Sequence, residues 1–146
     1  MTDRQASAPP TRPRLTLADI MTTAVTTLGR DCRIVDALDL LAAQDYHHLV
    51  VADGGRPVGV VTDRLLLRAV ARGAGEASTV GAVMLPPLLA PPDLPLRDAV
   101  AIVAFHRTDC VLVVDAAGEL RGIVTTTDLL GALYEILPGR SGARAA

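Results

Sequence analysis

The chain contains an internal repeat of roughly 60 residues. Residues 59–67 read GVVTDRLLL and residues 122–130 read GIVTTTDLL, so that five of the nine letters match at an offset of 63. Further segments match at offsets of 62 or 63, namely 16–21 with 79–84, 34–37 with 96–99, and 49–53 with 111–115. A fixed offset over so many segments is typical of a tandem repeat. Because a unit of this size buries its apolar face poorly on its own, we expect the two repeats to pack as one domain.

Each repeat has the pattern of a helix, two strands and a further helix. Apolar residues first recur at helical spacing, in the sets Ile34, Ala37, Leu38, Leu41 and Leu96, Ala99, Val100, Val103. A β-branched run, a turn and a second strand follow. Thr62 or Thr125 is then predicted to cap the last helix, because a threonine side chain can accept a hydrogen bond from a free N–H group of the first turn.

The repeat also sets the predicted domain organisation. Residues 15–73 form the first repeat, 74–79 the linker and 80–138 the second repeat. The flanking residues 1–14 and 139–146 are rich in Pro, Gly, Ser, Ala and Arg. Such segments cannot bury enough apolar surface to fold, so we expect a disordered arm and a disordered tail.

Composition narrows the class of protein. Half of the 146 residues are apolar but only 2% are aromatic, which predicts an aliphatic core. A net charge of −2 gives no reason to expect a nucleic-acid partner. The sequence shows neither a signal peptide nor an apolar run of the ~18 residues that a membrane helix requires, so we expect a cytoplasmic protein. All fourteen basic residues are Arg, which suggests a GC-rich bacterial genome.

The order of these features resembles the cystathionine-β-synthase (CBS) domain. The resemblance covers residues 16–137 and rests on a short opening helix ending in Met, a second helix, a hairpin of the form LVVAD…GVVT, and a helix start of the form Thr-x-x-Asp. Two such domains in tandem form a Bateman module, here of the stand-alone bacterial type. The resemblance implies an α+β (α/β) fold of two βαββα-type repeats, related by pseudo-two-fold symmetry and packed as one module. The family often has Pro where Val50 and Leu112 stand here.

The turn between the last strand and the last helix is chemically different in the two repeats. In the second repeat Asp128 follows Thr125 by three residues, whereas Leu65 takes the place of the aspartate in the first. A helix N-terminus attracts an anion, and a nearby carboxylate can accept hydrogen bonds from a ribose diol. A Thr-x-x-Asp sequence is equally a capping box, in which the aspartate only bonds back to the threonine. Both interpretations remain open.

The resemblance implies a cleft between the repeats that binds an adenosine-containing ligand, of the class of AMP, ADP, ATP or S-adenosylmethionine. The implied ligand-binding residues are Thr16, Tyr46, His47, Asp109, Ile123, Thr125 and Asp128. Each has a structural alternative: a helix cap for Thr16, a core position for Tyr46 and Ile123, and a solvated side chain for His47. Asp109 would repel a phosphate tail unless His106, Arg107 or Arg121 compensated. We therefore expect adenosine, AMP or S-adenosylmethionine to bind better than ATP.

The same mapping gives a second pocket, formed by Thr62, Leu65, Thr79 and Thr108 together with Val60. Leu65 cannot accept a hydrogen bond from a ribose and would remove water from its hydroxyls without replacing it. We expect this second site to be degenerate, so that the module has one working pocket.

Two other classes of function are open. A metal-dependent enzyme would use His47, His48, His106, Asp45, Asp109 and Cys110, but their spacings match no metal or catalytic motif. We therefore predict no catalysis, no metal and no cofactor, and take Cys110 as a core residue. The other class is a ligandless interaction scaffold. The helix at 63–72 and the final helix are apolar on more than one side, which predicts a homodimer and leaves the regulated protein unknown.

Overall fold

The computed structural model describes residues 14–44 and 46–139. The predicted arm (1–14) and tail (139–146) lie outside the described residues, apart from Arg14 and Gly139. Asp45 also lies outside them.

Both repeats fold as the sequence predicts, with one short strand in addition. The first repeat contains α1 (Leu17–Ile20), β1 (Thr27–Leu28), α2 (Ile34–Gln44), β2 (His48–Asp53), β3 (Arg56–Thr62) and α3 (Asp63–Ala71). The second contains a 3-10 turn (Val80–Ala82), β4 (Leu89–Ala90), α4 (Leu96–His106), β5 (Cys110–Val114), β6 (Leu120–Thr125) and α5 (Thr126–Ile136). The two-residue strands β1 and β4 complete a βαββα unit in each half, and the predicted α+β fold class is confirmed.

Each repeat forms one three-stranded sheet, in the order β1-β2-β3 or β4-β5-β6. The short first strand runs parallel to the second, and the second and third form an antiparallel hairpin. Both hairpins carry an irregularity at the same place, between Val51 and Ala52 and between Val113 and Val114. The first hairpin turns through Gly54 and Gly55, whose φ angles of 56° and 82° suit glycine.

The opening turn of each repeat packs in the core of the other repeat. Leu17 of α1 is fully buried among residues of the second repeat, which include Leu96, Ala99, Val111 and Val124. Val80 is fully buried among residues of the first repeat, which include Ile34, Ala37, Leu49 and Val61. After α1 the chain therefore crosses from one core to the other before it enters β1.

The two hairpins meet in a third, smaller core of Val50, Val60, Cys110, Leu112 and Ile123. This core joins the inner faces of the two sheets and explains why the strands are apolar on both sides. None of the helices in the described part of the chain has the length and apolarity needed to cross a membrane.

The glycine that begins each repeated motif, Gly59 or Gly122, lies where the other repeat's opening segment passes over it. A Cβ atom at Gly122 would lie 2.8 Å from the sulfur of Met21 and 2.9 Å from the carbonyl oxygen of Thr22. A Cβ atom at Gly59 would lie 2.5 Å from the sulfur of Met84. The methionine that ends each opening turn therefore packs on the glycine of the other repeat.

Candidate functional site

The crossing segment after α1 forms one wall of a cleft between the repeats. Thr22 and Ile123 exchange two backbone hydrogen bonds, of 2.9 Å from the Thr22 N–H and 3.0 Å from the Ile123 N–H. This pairing holds residues 22–26 of the first repeat beside β6 of the second. The cleft has a volume of about 290 Å³ and is lined by Thr22, Ala24, Val25, Thr26, Tyr46, His47, His48, Ile123, Thr125, Thr127 and Asp128.

Asp128 completes a capping box at the start of α5. Its Oδ2 accepts hydrogen bonds from the backbone N–H of Thr125 at 2.8 Å and from the Thr125 hydroxyl at 2.9 Å. The Thr125 Oγ1 accepts in return from the backbone N–H of Asp128 at 3.3 Å. Within the described part of the chain, Asp128 Oδ1 has no hydrogen-bond donor. Since an ionised carboxylate offers about four acceptor positions, the cap leaves room for a ligand.

A second Thr-x-x-Asp sequence shows that the capping box by itself does not make a ligand site. At α1, Asp19 Oδ2 accepts from the backbone N–H of Thr16 at 2.7 Å and from the Thr16 hydroxyl at 3.2 Å. Asp19 is exposed and lies outside the cleft lining. What distinguishes Asp128 is therefore its place in the cleft and not its hydrogen bonds to the cap.

Five of the seven residues implied by the resemblance lie together on the cleft: Tyr46, His47, Ile123, Thr125 and Asp128. Tyr46 is 46% exposed, so it is not a core aromatic residue. Ile123 is 8% exposed and also belongs to the core between the hairpins.

Thr16 and Asp109 do not line the cleft. Thr16 precedes α1 and pairs with Pro95, so the length of α1 separates it from Thr22, which occupies the cleft wall. The Asp109 carbonyl accepts hydrogen bonds from the backbone N–H and hydroxyl of Thr126, at 2.9 and 3.2 Å. Asp109 corresponds in position to His47 of the first repeat. The His47 carbonyl accepts a hydrogen bond from the backbone N–H of Asp63 at 3.3 Å.

Charge in and around the cleft is mainly acidic. The described residues that line the cleft include no arginine. Arg121 is bound to Asp115, with its Nε 2.8 Å from Oδ2, and it lines a different cavity. Arg107 and His106 are exposed at the end of α4 and lie outside the lining. The compensating cations considered for a phosphate tail are therefore not found in the cleft.

Two histidines differ in their surroundings. His47 is exposed, and its Nδ1 lies 3.1 Å from Oδ2 of Asp63, a hydrogen bond that lowers the pKa of the Asp63 carboxyl. His48 is half-buried, and burial lowers the pKa of its imidazole. The charges of Asp109, Asp63 and Asp128 raise the pKa of His48, whereas His47 lowers it further.

The second predicted pocket differs from the cleft beside Asp128 in the side chains at two of its walls. Thr62 caps α3 by accepting from the N–H of Leu65 at 3.1 Å, but Leu65 packs partly buried against the first core. Val60 exchanges backbone hydrogen bonds of 3.0 Å with Leu85, the counterpart of Thr22. Apolar side chains thus replace both the carboxylate and the threonine wall.

The other two residues predicted for the second pocket, Thr79 and Thr108, interact with the backbone of their own surroundings. Thr79 pairs with Arg33 at the start of the 3-10 turn. The Thr108 hydroxyl donates to the carbonyl of Cys110 at 3.2 Å.

Apart from Asp45, which lies outside the described residues, the residues considered for a metal site do not form a cluster of ligands. No group of three or more His, Cys, Asp or Glu side chains in the described part of the chain is arranged to hold a metal ion. Cys110 is 5% exposed, and burial, followed by the charge of Asp109, raises the pKa of its thiol to about 11. Such a thiol is a weak nucleophile because it is rarely ionised, which agrees with the core position predicted for it.

Six lining residues were missed from the sequence: Thr22, Ala24, Val25, Thr26, His48 and Thr127. One feature of the sequence could have indicated the wall formed by residues 22–26. Residues 22–26 read TTAVT and their counterparts 85–89 read LPPLL, so the two repeats differ in polarity here as they do at Asp128 and Leu65.

A family model for the CBS domain matches the chain twice, at residues 17–72 and 80–135. The chain belongs to the CBS domain family. The two matched stretches correspond to the repeats identified from the sequence.

Relatives of this CBS domain pair differ in length. The chain is 33% identical over 113 residues to the CBS domain-containing protein YhcV of Bacillus subtilis, which covers 76% of this chain and 80% of that protein. Three other curated relatives are enzymes with identities of 34, 31 and 33%, one of them the A-adding tRNA nucleotidyltransferase of Geobacter sulfurreducens. The chain spans only 14, 23 and 21% of their lengths.

Solved structures of similar CBS pairs contain adenosine compounds. The CBS domain pair of protein MJ0100, in complex with 5-methylthioadenosine and S-adenosylmethionine, has a TM-score of 0.76 at 25% identity and covers 84% of this chain and 98% of that one. CBSX2 in complex with AMP has a TM-score of 0.69 at 30% identity and covers 83% and 97%.

Proposed function

We propose that this CBS pair is a regulatory module that senses an adenosine-containing ligand, bound in the cleft beside Asp128. The observation that carries the proposal is the position of the Asp128 carboxylate, which lines the cleft with Oδ1 not used by the cap. A ribose diol is the ligand group that suits such an acceptor. The adenosine compounds bound by the pair of MJ0100 and by CBSX2 support this ligand class.

We further propose that the ligand carries little negative charge. The cleft lining includes Asp128 and, in the described residues, no arginine that would balance a triphosphate. At an effective dielectric constant of about 20, two like charges 4 Å apart repel by roughly 4 kcal/mol. Adenosine, AMP or S-adenosylmethionine should therefore bind better than ATP.

The module regulates through occupancy of this cleft and has no catalytic role in the proposal. The matched region is only 14, 23 and 21% of the enzymes among its relatives, so their activities are not carried over to this chain. The buried Cys110 thiol, with its raised pKa, is unsuited to nucleophilic catalysis.

We also propose that the protein is a homodimer built on α3 and α5. Leu67 and Val70 of α3 are 57% and 42% exposed, and Leu130 and Tyr134 of α5 are 62% and 81% exposed. Leu130 and Tyr134 stand four residues apart, one above the other on one face of the helix. Exposed apolar stripes of this kind are typical of association surfaces, and a second copy would cover both.

The competing function is a ligandless scaffold that uses the same helices to hold another protein. It is favoured by the cap itself, because the hydrogen bonds between Asp128 and Thr125 give the aspartate a structural role.

Isothermal titration calorimetry with adenosine, AMP, S-adenosylmethionine and ATP separates the two functions. The proposal expects one ligand per chain and the weakest binding for ATP. Absence of binding by all four compounds at millimolar concentration would favour the scaffold. ATP binding tenfold tighter than AMP, a difference of about 1.4 kcal/mol, would contradict the proposed charge preference.

A further inference from the structure

His48 lines the cleft and carries a ring nitrogen that has no hydrogen-bond partner among the described residues. This nitrogen, Nε2, is closed off from solvent. Most buried polar atoms in native proteins have a partner, so this nitrogen is an exception. His48 begins β2 and pairs with Thr62, so the strand fixes the position of its backbone beside the cleft.

The charged groups that affect His48 come from both repeats. Asp109 precedes β5, Asp63 begins α3, Asp128 lies in the first turn of α5, and His47 is its neighbour in the chain. The carboxylates favour a positive imidazole, whereas burial and His47 oppose it, and burial is the largest of these effects. The neutral form of the ring is therefore favoured, although three carboxylates act on it in the opposite direction.

We propose that His48 couples ligand binding to protonation, so that a proton taken up by its imidazole allows an anionic group of the ligand into the cleft. This inference rests on the proposed adenosine site. With His48 neutral, the cleft favours adenosine compounds that carry little negative charge. With His48 protonated, its imidazolium adds a positive charge that can balance a phosphate group in the cleft.

The sign of the effect follows from linkage. An anion in the cleft raises the pKa of His48 above its low value in the free protein, so binding of the anion takes up a proton. Affinity for the anion then rises as the pH falls through the pKa of His48 in the complex, and becomes constant below the pKa in the free protein. One coupled proton changes the affinity by at most about tenfold per pH unit. An uncharged ligand such as adenosine produces little of this dependence.

The test is calorimetry of AMP and adenosine at pH 6 and pH 8, each in two buffers of different ionisation enthalpy. For the wild type we expect AMP to bind about three- to tenfold more tightly at pH 6 and to take up a fraction of a proton approaching one. Adenosine should bind within about twofold at both pH values. The phosphate of AMP itself titrates near pH 6, so the decisive quantity is the difference between the wild type and His48→Gln.

His48→Gln should reduce the proton uptake that accompanies AMP binding to the part contributed by the phosphate of AMP, and the control His106→Gln, at an exposed position on α4, should leave the wild-type uptake unchanged. His47→Gln shows whether the neighbouring ring contributes. Equal proton uptake by the wild type and His48→Gln would overturn this inference while leaving the adenosine site intact. Failure of the wild type to bind either compound would overturn both.

NMR titration of the wild-type His48 ring needs no variant and decides the question if His48→Gln does not fold. The inference expects AMP to raise the pKa of His48 and adenosine to leave it unchanged. A pKa that AMP does not raise would refute it.

Discussion

Replacing Asp128 with alanine separates the ligand-binding role of this residue from its capping role, because the chain contains a matched control. Asp128 and Asp19 each accept two hydrogen bonds from the threonine three residues before them, but Asp19 lies outside the cleft lining. Each aspartate is the third residue of its helix and bonds back to the N-cap threonine, so its loss should cost about 1 kcal/mol at most. Asp128→Ala and Asp19→Ala should therefore lower the free energy of unfolding by similar amounts, which urea denaturation measures.

Ligand affinity should distinguish these two variants. A hydrogen bond to a charged group contributes about 1.5–3 kcal/mol, so Asp128→Ala should weaken adenosine binding by about tenfold to a hundredfold or more. Asp19→Ala should leave the dissociation constant within about twofold of the wild type. Calorimetry at a temperature well below both unfolding transitions measures the two constants. If Asp128→Ala loses stability but binds adenosine as the wild type does, Asp128 is only a cap and the ribose assignment is wrong.

Three further outcomes are expected. Because the pKa of His48 lies below its unfolded value of about 6.5, the fold should lose stability as the pH falls from about 6.5 through the folded-state pKa, and urea denaturation should show a smaller loss for His48→Gln. Gly122→Ala should cost about 1–3 kcal/mol and weaken ligand binding, since its Cβ would meet the Met21 side chain and the backbone of Thr22 in the cleft wall. At Gly59 the three nearest atoms all belong to the Met84 side chain, so Gly59→Ala should affect stability alone, and denaturation and calorimetry can compare the two variants. Sedimentation at micromolar concentration should show a dimer that Tyr134→Asp dissociates, and a monomeric wild type would refute the proposed interface.

The sequence by itself determined the repeating unit and its local structure. Helical spacing at Ile34, Ala37 and Leu41 and the β-branched runs depend only on which residues face a core, and they identified the main helices and strands of both halves. The caps at Thr62 and Thr125 were also predictable, because a cap involves residues three positions apart. The difference between Asp128 and Leu65 was visible for the same reason.

Only the tertiary structure decided which segment faces Asp128. The family resemblance implied Thr16, but the chain crosses between the two cores after α1, and the cleft lining includes Thr22 and not Thr16. That crossing depends on Met21 packing against Gly122, residues about a hundred positions apart whose contact leaves no periodic pattern. The surroundings of His48 likewise combine the two repeats, because Asp63 of the first and Asp109 and Asp128 of the second all act on its ring.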